Sequence, residues 1–424
     1  DRLRSRGLGD VYKRQLVLML PIATVQRVWT PFHEALFTST SAVCVTGLVV
    51  QDTGSYWSAF GQTVILLLIQ IGGLGVITGA VTFLMLSGRN ITLKERSAMQ
   101  DAISAPAVGG IVRLTRFILK GTFLVELLGA LALLPIFCRD YGLRGVWMSV
   151  FHSVSAFCNA GFDILGRTDS LYPSLTAYAA DPLVNIVIML LIIVGGIGFM
   201  VILDVGRCRG NFRKMTFHTK VVLTTTAVLL FGGAALLQIT DHLDFMTAFF
   251  QSMTARTAGF STVDLSGLSS AGLLVIMVLM FVGASPGSTG GGIKTTTFFV
   301  LMQQVRSIFS KRRLGAFHRR LPDGSLAKAA TITLMGLIVV SCGTFALCIL
   351  EPETDFLRLL FEQVSAYSTA GLSTGITAGL RAGSKAVLIF TMFIGRVGAV
   401  TLLSLWVERP EPSAHYTEEA ITIG

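Results

Sequence analysis

Four stretches of this chain align without a gap: FTSTSAVCVTGL at 37–48, FHSVSAFCNAGF at 151–162, FFQSMTARTAGF at 249–260 and FEQVSAYSTAGL at 361–372. Each sets a phenylalanine (Phe37, Phe151, Phe249, Phe361) ten residues before a glycine (Gly47, Gly161, Gly259, Gly371), with leucine or phenylalanine one residue after it. The glycines follow one another at 161 − 47 = 114, 259 − 161 = 98 and 371 − 259 = 112 residues. A unit of roughly 110 residues therefore occurs four times, and internal duplication is the simplest cause. One glycine in an apolar chain is accounted for by close helix packing. Four in register with four phenylalanines require one shared backbone role.

The flanks say where the units sit. Runs of the ~20 residues needed to cross ~30 Å of hydrocarbon lie at about 59–86, 117–137, 183–205, 218–239, 270–305, 329–350 and 384–407. That predicts seven complete spans in an integral membrane protein, and with 52% hydrophobic and 14% charged residues a soluble core could not hide the apolar surface. LVLMLPIATVQRVW at 16–29 reads as a shortened eighth. The preceding DRLRSRGLGDVYKRQ has neither the apolar core nor the cleavage site of a signal peptide, so a truncated or altered N-terminus is expected. The net charge of +10 sits in loops between spans, at Arg207, Arg209, Arg213, Lys214 and Lys220 and at Arg306, Lys311, Arg312, Arg313, Arg319, Arg320 and Lys328. No separable basic domain exists for nucleic acid, and the positive-inside rule predicts both loops cytoplasmic. Six cysteines, none in a CxxC pair, give no disulfide or metal framework.

Each unit reads span, half-length helix ending at glycine, span. The expected fold is an all-α integral membrane protein of four pseudo-repeated span–pore-helix–span units around a central ion pore. The units run 1–86, 87–210, 211–310 and 311–407, with a C-terminal tail at 408–424. Two full spans per unit make successive units enter the bilayer in the same direction, which suits rotation about one axis. Non-helical backbone at membrane depth is tolerated where it is buried or lines water, and glycine lets the chain turn carbonyl oxygens toward a cation. A second glycine cluster recurs in the later spans, as QIGGLG (70–75), VGGIG (194–198) and IGRVG (394–398). Asp52, Asp163 and Asp264 follow their glycines by five, two and five residues. They read equally as an outer mouth that concentrates cations or as turn and cap residues.

In unit three the corresponding element is GASPGSTGGGIKTTT, 283–297. A nucleotide-binding P-loop requires glycine directly before the lysine, and here that residue is Ile293. Pro286 and the glycines instead predict a break in the 270–305 span. The loop is expected to lie across the pathway as a gate, formed by Gly287, Ser288, Thr289, Gly290, Gly291, Gly292 and Lys294. Arg396, a charge in mid-span, is expected to hold it closed through its free carbonyls.

Together these stretches resemble the Trk/Ktr/HKT potassium-transporter superfamily, and within it the KtrB-type membrane subunits, over about residues 30–407. VTGL, NAGF, TAGFST and TAGLST are similar to its four filter stretches, SPGSTGGGIKTTT to its intramembrane loop, and FIGRVG to its last inner helix. The resemblance implies potassium bound by carbonyls of Val45, Thr46 and Gly47, of Asn159, Ala160 and Gly161, of Thr257, Ala258 and Gly259, and of Thr369, Ala370 and Gly371. Glycine at all four positions implies potassium over sodium. It further implies a homodimer in a bacterial-type plasma membrane, a cytosolic ring of nucleotide-binding regulatory subunits that alone carries nucleotide, and no covalent cofactor.

The competing reading is a sodium- or proton-coupled secondary carrier, with sodium as a coupling ion. Such carriers place a carboxylate in mid-span, and the candidate is Glu126, read as an interhelical partner. An enzyme needs a nucleophile, base or metal cluster; no HExxH or GxSxG motif lies in a span, and His33 and His152 read as hydrogen-bonding residues. Arg256, three residues before Gly259, is expected behind the filter, bonded to backbone carbonyls or to a carboxylate such as Glu362.

Overall fold

The computed structural model describes residues 17–75, 111–310, 315–322 and 324–398. The segment 1–15, the unit boundaries at 86/87 and 310/311, Lys311, Arg312, Arg313, the far ends of the expected 59–86 and 384–407 spans and the tail 408–424 lie outside these residues. The helices are α1 (Phe32–Cys44), α2 (Ala59–Leu74), α3 (Ile111–Tyr141), α4 (Arg144–Phe157), α5 (Pro182–Gly196), α6 (Phe199–Arg207), α7 (Phe217–Asp241), α8 (Phe245–Thr254), α9 (Ser270–Phe281), α10 (Thr295–Ser310), α11 (Ser325–Leu350), α12 (Phe356–Ser368) and α13 (Ala382–Val397). Side-chain caps open six of them: Ser58, Asp181, Thr216, Asp244, Ser269 and Asp355 each accept from a backbone N–H of the first turn.

Two expected spans are not continuous. The run at 183–205 divides into α5 and α6, which meet at 96° across Ile197 and Gly198. The run at 270–305 divides into α9 and α10 around the loop 282–294. Among the described residues, α3 from Leu114, α7 and α11 are single helices long and apolar enough to cross a membrane. The described residues are almost wholly helical, and the exception among them is a hairpin of Gly315–Ala316 with Arg319–Arg320. Its turn residues Phe317 and His318 adopt positive φ, as a two-residue hairpin turn demands. Phe317 packs its ring on Phe212 and Phe217, so the two basic loops meet on one side of the molecule.

Polarity is turned inside out relative to a soluble bundle. Leu124, Leu127, Leu128 and Leu131 of α3 and Val228, Phe231 and Ile239 of α7 are exposed. The short helices α1, α4, α8 and α12 bury serine, threonine and glutamine beside their apolar residues. Outer helices thus present an apolar belt, and the polar groups gather at the centre.

The helix contacts close a cycle. α2 packs on α4, α5 on α8, α9 on α12, and α13 returns to α1. The second glycine cluster makes this approach possible. A Cβ on Gly72 would run into the carbonyl of Val43, on Gly195 into that of Phe157, and on Gly395 into that of Tyr367. All three carbonyls belong to the residue four before the aligned glycine of the same unit. Three residues later, Gly75, Gly198 and Gly398 end α2, the α5 turn and α13 with φ of 86°, 96° and 89°.

Gly72→Val should therefore destabilise the protein by ~1–3 kcal/mol, as overpacking does, lowering its unfolding temperature in detergent. Gly232→Val, where nothing lies within 4 Å of the added Cβ, should leave that temperature unchanged.

Candidate functional site

The four short helices end in one conformation. The residue two before each aligned glycine is left-handed: Val45 (φ 57°), Asn159 (58°), Thr257 (69°) and Thr369 (49°). In units one, two and four this is a Schellman turn. Thr46 N–H donates to Ser41 O (2.8 Å), Ala160 to Ser155 (2.8 Å) and Ala370 to Ser365 (2.9 Å). Unit three closes one residue tighter, with Ala258 N–H on Thr254 O at 2.9 Å. Its phenylalanine differs too: Phe37, Phe151 and Phe361 are fully buried, whereas Phe250 and not Phe249 is the buried ring in unit three. Left-handed backbone is a marked outlier for β-branched Val45, Thr257 and Thr369. Such strain persists only where the surroundings over-determine it.

The glycines that follow meet one another. Gly47, Gly161, Gly259 and Gly371 have φ of 92°, 69°, 82° and 81°. A Cβ on Gly47 would stand 2.5 Å from Ala160 O; one on Gly161, 2.7 Å from Gly259 Cα; one on Gly259, 2.9 Å from Ala370 O. A Cβ on Gly371 would run into Thr46 O, which returns the sequence to unit one. Backbone touches backbone around a closed ring. Val45, Thr46, Asn159, Ala160, Thr257, Ala258, Thr369 and Ala370 are all buried beside it.

The loop 282–294 lies against this ring. A Cβ on Gly290 would strike Thr257 Oγ1, and one on Gly291 would strike Thr369 Oγ1. The loop is pinned to the α5–α6 bend, with Ser285 N–H on Gly196 O (3.1 Å), Thr289 N–H on Gly195 O (3.2 Å) and Phe199 N–H on Gly287 O (3.1 Å). Ser288 donates to Ser285 O at 2.6 Å, Gly292 turns at φ 69°, and Lys294 Nζ donates to Gly290 O at 2.8 Å. Arg396 donates from Nη1 to Thr289 O and from Nη2 to Gly72 O. It stands where units one and two carry Gly73 and Gly196.

The three aspartates are all backbone-bonded. Asp52, 4% exposed, accepts from Ser55 N–H and hydroxyl (2.8 and 2.7 Å) and Tyr172 N–H (3.0 Å). Asp163 accepts from Leu165 N–H at 3.1 Å. Asp264, exposed, accepts from the Ser266 hydroxyl and N–H, which hold its carboxyl below the usual carboxylate range.

Glu126 accepts from Gln70 Nε2 at 2.9 Å, an interhelical bond between α3 and α2. His152 is buried, with Nδ1 2.7 Å from Met148 O. Glu362 and Arg256 do not pair. Glu362 accepts from Ser373 (2.5 Å), Thr374 N–H (3.1 Å) and Thr377 (2.8 Å), all in its own unit. Arg256 is buried, and its Nε makes no hydrogen bond. Gly72, Gly195 and Gly395 went unassigned by sequence reasoning, although their shared spacing to Gly75, Gly198 and Gly398 was a usable signal.

The profile of the TrkH family, described as cation transport protein, matches residues 15–220 and 211–416. The chain belongs to that family. It is 38% identical to Ktr system potassium uptake protein B of Bacillus subtilis (strain 168), over 96% of this chain and 93% of that protein. It is likewise 38% identical to potassium/sodium uptake protein NtpJ of Enterococcus hirae, over 96% and 93%. Its fold is similar to the potassium transporter TrkH from Vibrio parahaemolyticus, with a TM-score of 0.69, 18% identity, and coverage of 89% of this chain and 79% of that one. This TrkH-family chain is thus a membrane transport protein and not an enzyme.

Crowding and strain at the ring can be separated. Gly161→Ala should cut cation uptake by about tenfold or more, the factor ~1.4 kcal/mol represents. Gly375→Ala, with a similar φ of 85° but nothing within 4 Å, should keep uptake near wild type at equal membrane abundance.

Proposed function

We propose that the protein takes up potassium across a bacterial plasma membrane through a pore on the axis of the glycine ring, with its four units as pseudo-repeats around it. The observation that carries this reading is the closed cycle of four positive-φ glycines, each preceded by a left-handed residue. Successive carbonyls of residues 45–47, 159–161, 257–259 and 369–371 then replace the hydration shell of the ion, which is the substrate. The relatives named for potassium uptake support the same ion. A hydroxyl at Gly47 would enter against Ala160 O and distort one quarter of that cage. In liposomes of purified protein, Gly47→Ser is expected to raise the sodium-to-potassium flux ratio; an unchanged ratio sinks the carbonyl assignment.

Gating follows from the loop. Gly287, Ser288, Thr289, Gly290, Gly291, Gly292 and Lys294 lie beneath the threonines of units three and four, and Arg396 ties Thr289 to Gly72. The Arg396 charge raises a barrier to cations while the loop is in place. A cytosolic ring of nucleotide-binding subunits, acting on a homodimer, draws the loop aside, and nucleotide belongs to that ring. Asp52, Asp163 and Asp264 shape the outer mouth chiefly as turn and cap residues. Sodium coupling is the second reading, favoured by the relative named for potassium and sodium uptake. Arg396→Ala should raise potassium flux several-fold and weaken its dependence on the regulatory ring, with selectivity nearly unchanged. Wild-type flux in a folded Arg396→Ala protein places the gate elsewhere.

A further inference from the structure

Arg256 follows the C-cap of α8 directly, at the position held by Cys44, Cys158 and Ser368 in the other units. It is 8% exposed, and its Nε makes no hydrogen bond. Among the described residues it has no carboxylate partner: the ion pairs are His33–Glu34, Arg139–Asp140 and Arg381–Glu351. The nearby C-terminal carbonyls of α5 are already engaged, Gly195 by Thr289 N–H and Gly196 by Ser285 N–H.

Arg256 lines a cavity of about 20 Å³ between the α5–α6 bend, α7, α8 and the loop. Ile193, Ile197, Leu230 and Met253 give it apolar walls, Ala284 places the loop on one side, and Thr226 reaches it from α7. Thr226 is 8% exposed, and its Oγ1 is likewise without a hydrogen bond. Two residues that line this one space therefore each carry an unpartnered buried group that can donate.

A space of ~10–15 Å³ or more accepts a single water, and a halide ion is of similar size. The two differ in charge. A buried guanidinium without a counter-charge is costly, and a neutral water leaves that charge uncompensated. We infer that this cavity is a binding site for one small monovalent anion of the halide class, held by Arg256 N–H and Thr226 O–H. The bound anion neutralises Arg256 and sits at the junction of the third glycine turn, the α5–α6 bend and the loop. It acts as a structural anion, not a transported one, and the site stands whether or not the conduction reading does.

Crystals of the wild-type protein grown in bromide test this directly. The expected result is an anomalous bromide peak within hydrogen-bond distance of Arg256 Nε and Thr226 Oγ1. No peak there at saturating bromide, or water density only, overturns the assignment. In solution, replacing gluconate by chloride at constant potassium should raise the wild-type unfolding temperature by about 2 °C, the linkage expected of a ligand bound only when folded. Thr226→Val, which removes one donor and keeps the shape, should shrink that increment. An increment of equal size in Thr226→Val and Arg256→Gln counts against the site. Both readouts are independent of transport.

Discussion

The contact on which the rest depends is backbone against backbone. Where Gly47, Gly161, Gly259 and Gly371 meet, no side chain separates one unit from the next, so no rotamer can yield to absorb an error. Position must come from behind. The Schellman turns fix the carbonyl directions, the buried rings of Phe37, Phe151, Phe250 and Phe361 anchor the short helices, and Gly72, Gly195 and Gly395 let the long helices reach the same turns. The left-handed Val45, Thr257 and Thr369 show how strongly this shell dictates conformation, since each β-branched residue adopts a backbone that disfavours it by roughly 1–2 kcal/mol.

That hierarchy explains what could be read in the sequence. The aligned glycines and phenylalanines were legible because a duplicated unit repeats its backbone constraints with its residues. Pro286 with its glycines announced the break between α9 and α10. The break between α5 and α6 was not legible: VGGIG lies in an unbroken apolar run, and only the three-dimensional pinning of Gly195, Gly196 and Phe199 to the loop shows why the chain bends at Gly198. The left-handed turns were hidden as well, because only Asn159 is a residue type that favours them. Where Glu362 goes also lay beyond the sequence, since its donors Ser373, Thr374 and Thr377 are ordinary hydroxyls and a backbone amide.

Duplication also makes departures meaningful. Units one, two and four share the same Schellman spacing and the same glycine-to-carbonyl approach. Unit three breaks both: its turn is tighter, its phenylalanine register shifts by one, its last helix opens into the loop, and its residue before the turn is Arg256 where the others are small. These departures are neighbours in space. The loop leaves α9 beside Thr257, crosses beneath Thr369 and is held by residues of units two and four. Three units share one way of closing the ring, and the departures of the fourth cluster where the loop lies against it.

Arg396 meets the loop from the neighbouring unit. In units one and two the equivalent glycines leave no room for a side chain: a Cβ on Gly73 would run into Cys158 Sγ and one on Gly196 would approach Asn159 Nδ2 at 3.0 Å. Placing arginine at this position in unit four directs its guanidinium to carbonyls of two other units, Thr289 and Gly72. A charge at membrane depth is penalised by ~2.5 kcal/mol or more unless polar groups receive it. Thr289 offers an acceptor from the loop and Gly72 one from the last turn of α2, where the helical hydrogen-bond ladder runs out. The irregular backbone and the buried cation therefore require each other. Because Thr289 accepts from Arg396, the position of the loop and that of the guanidinium are coupled.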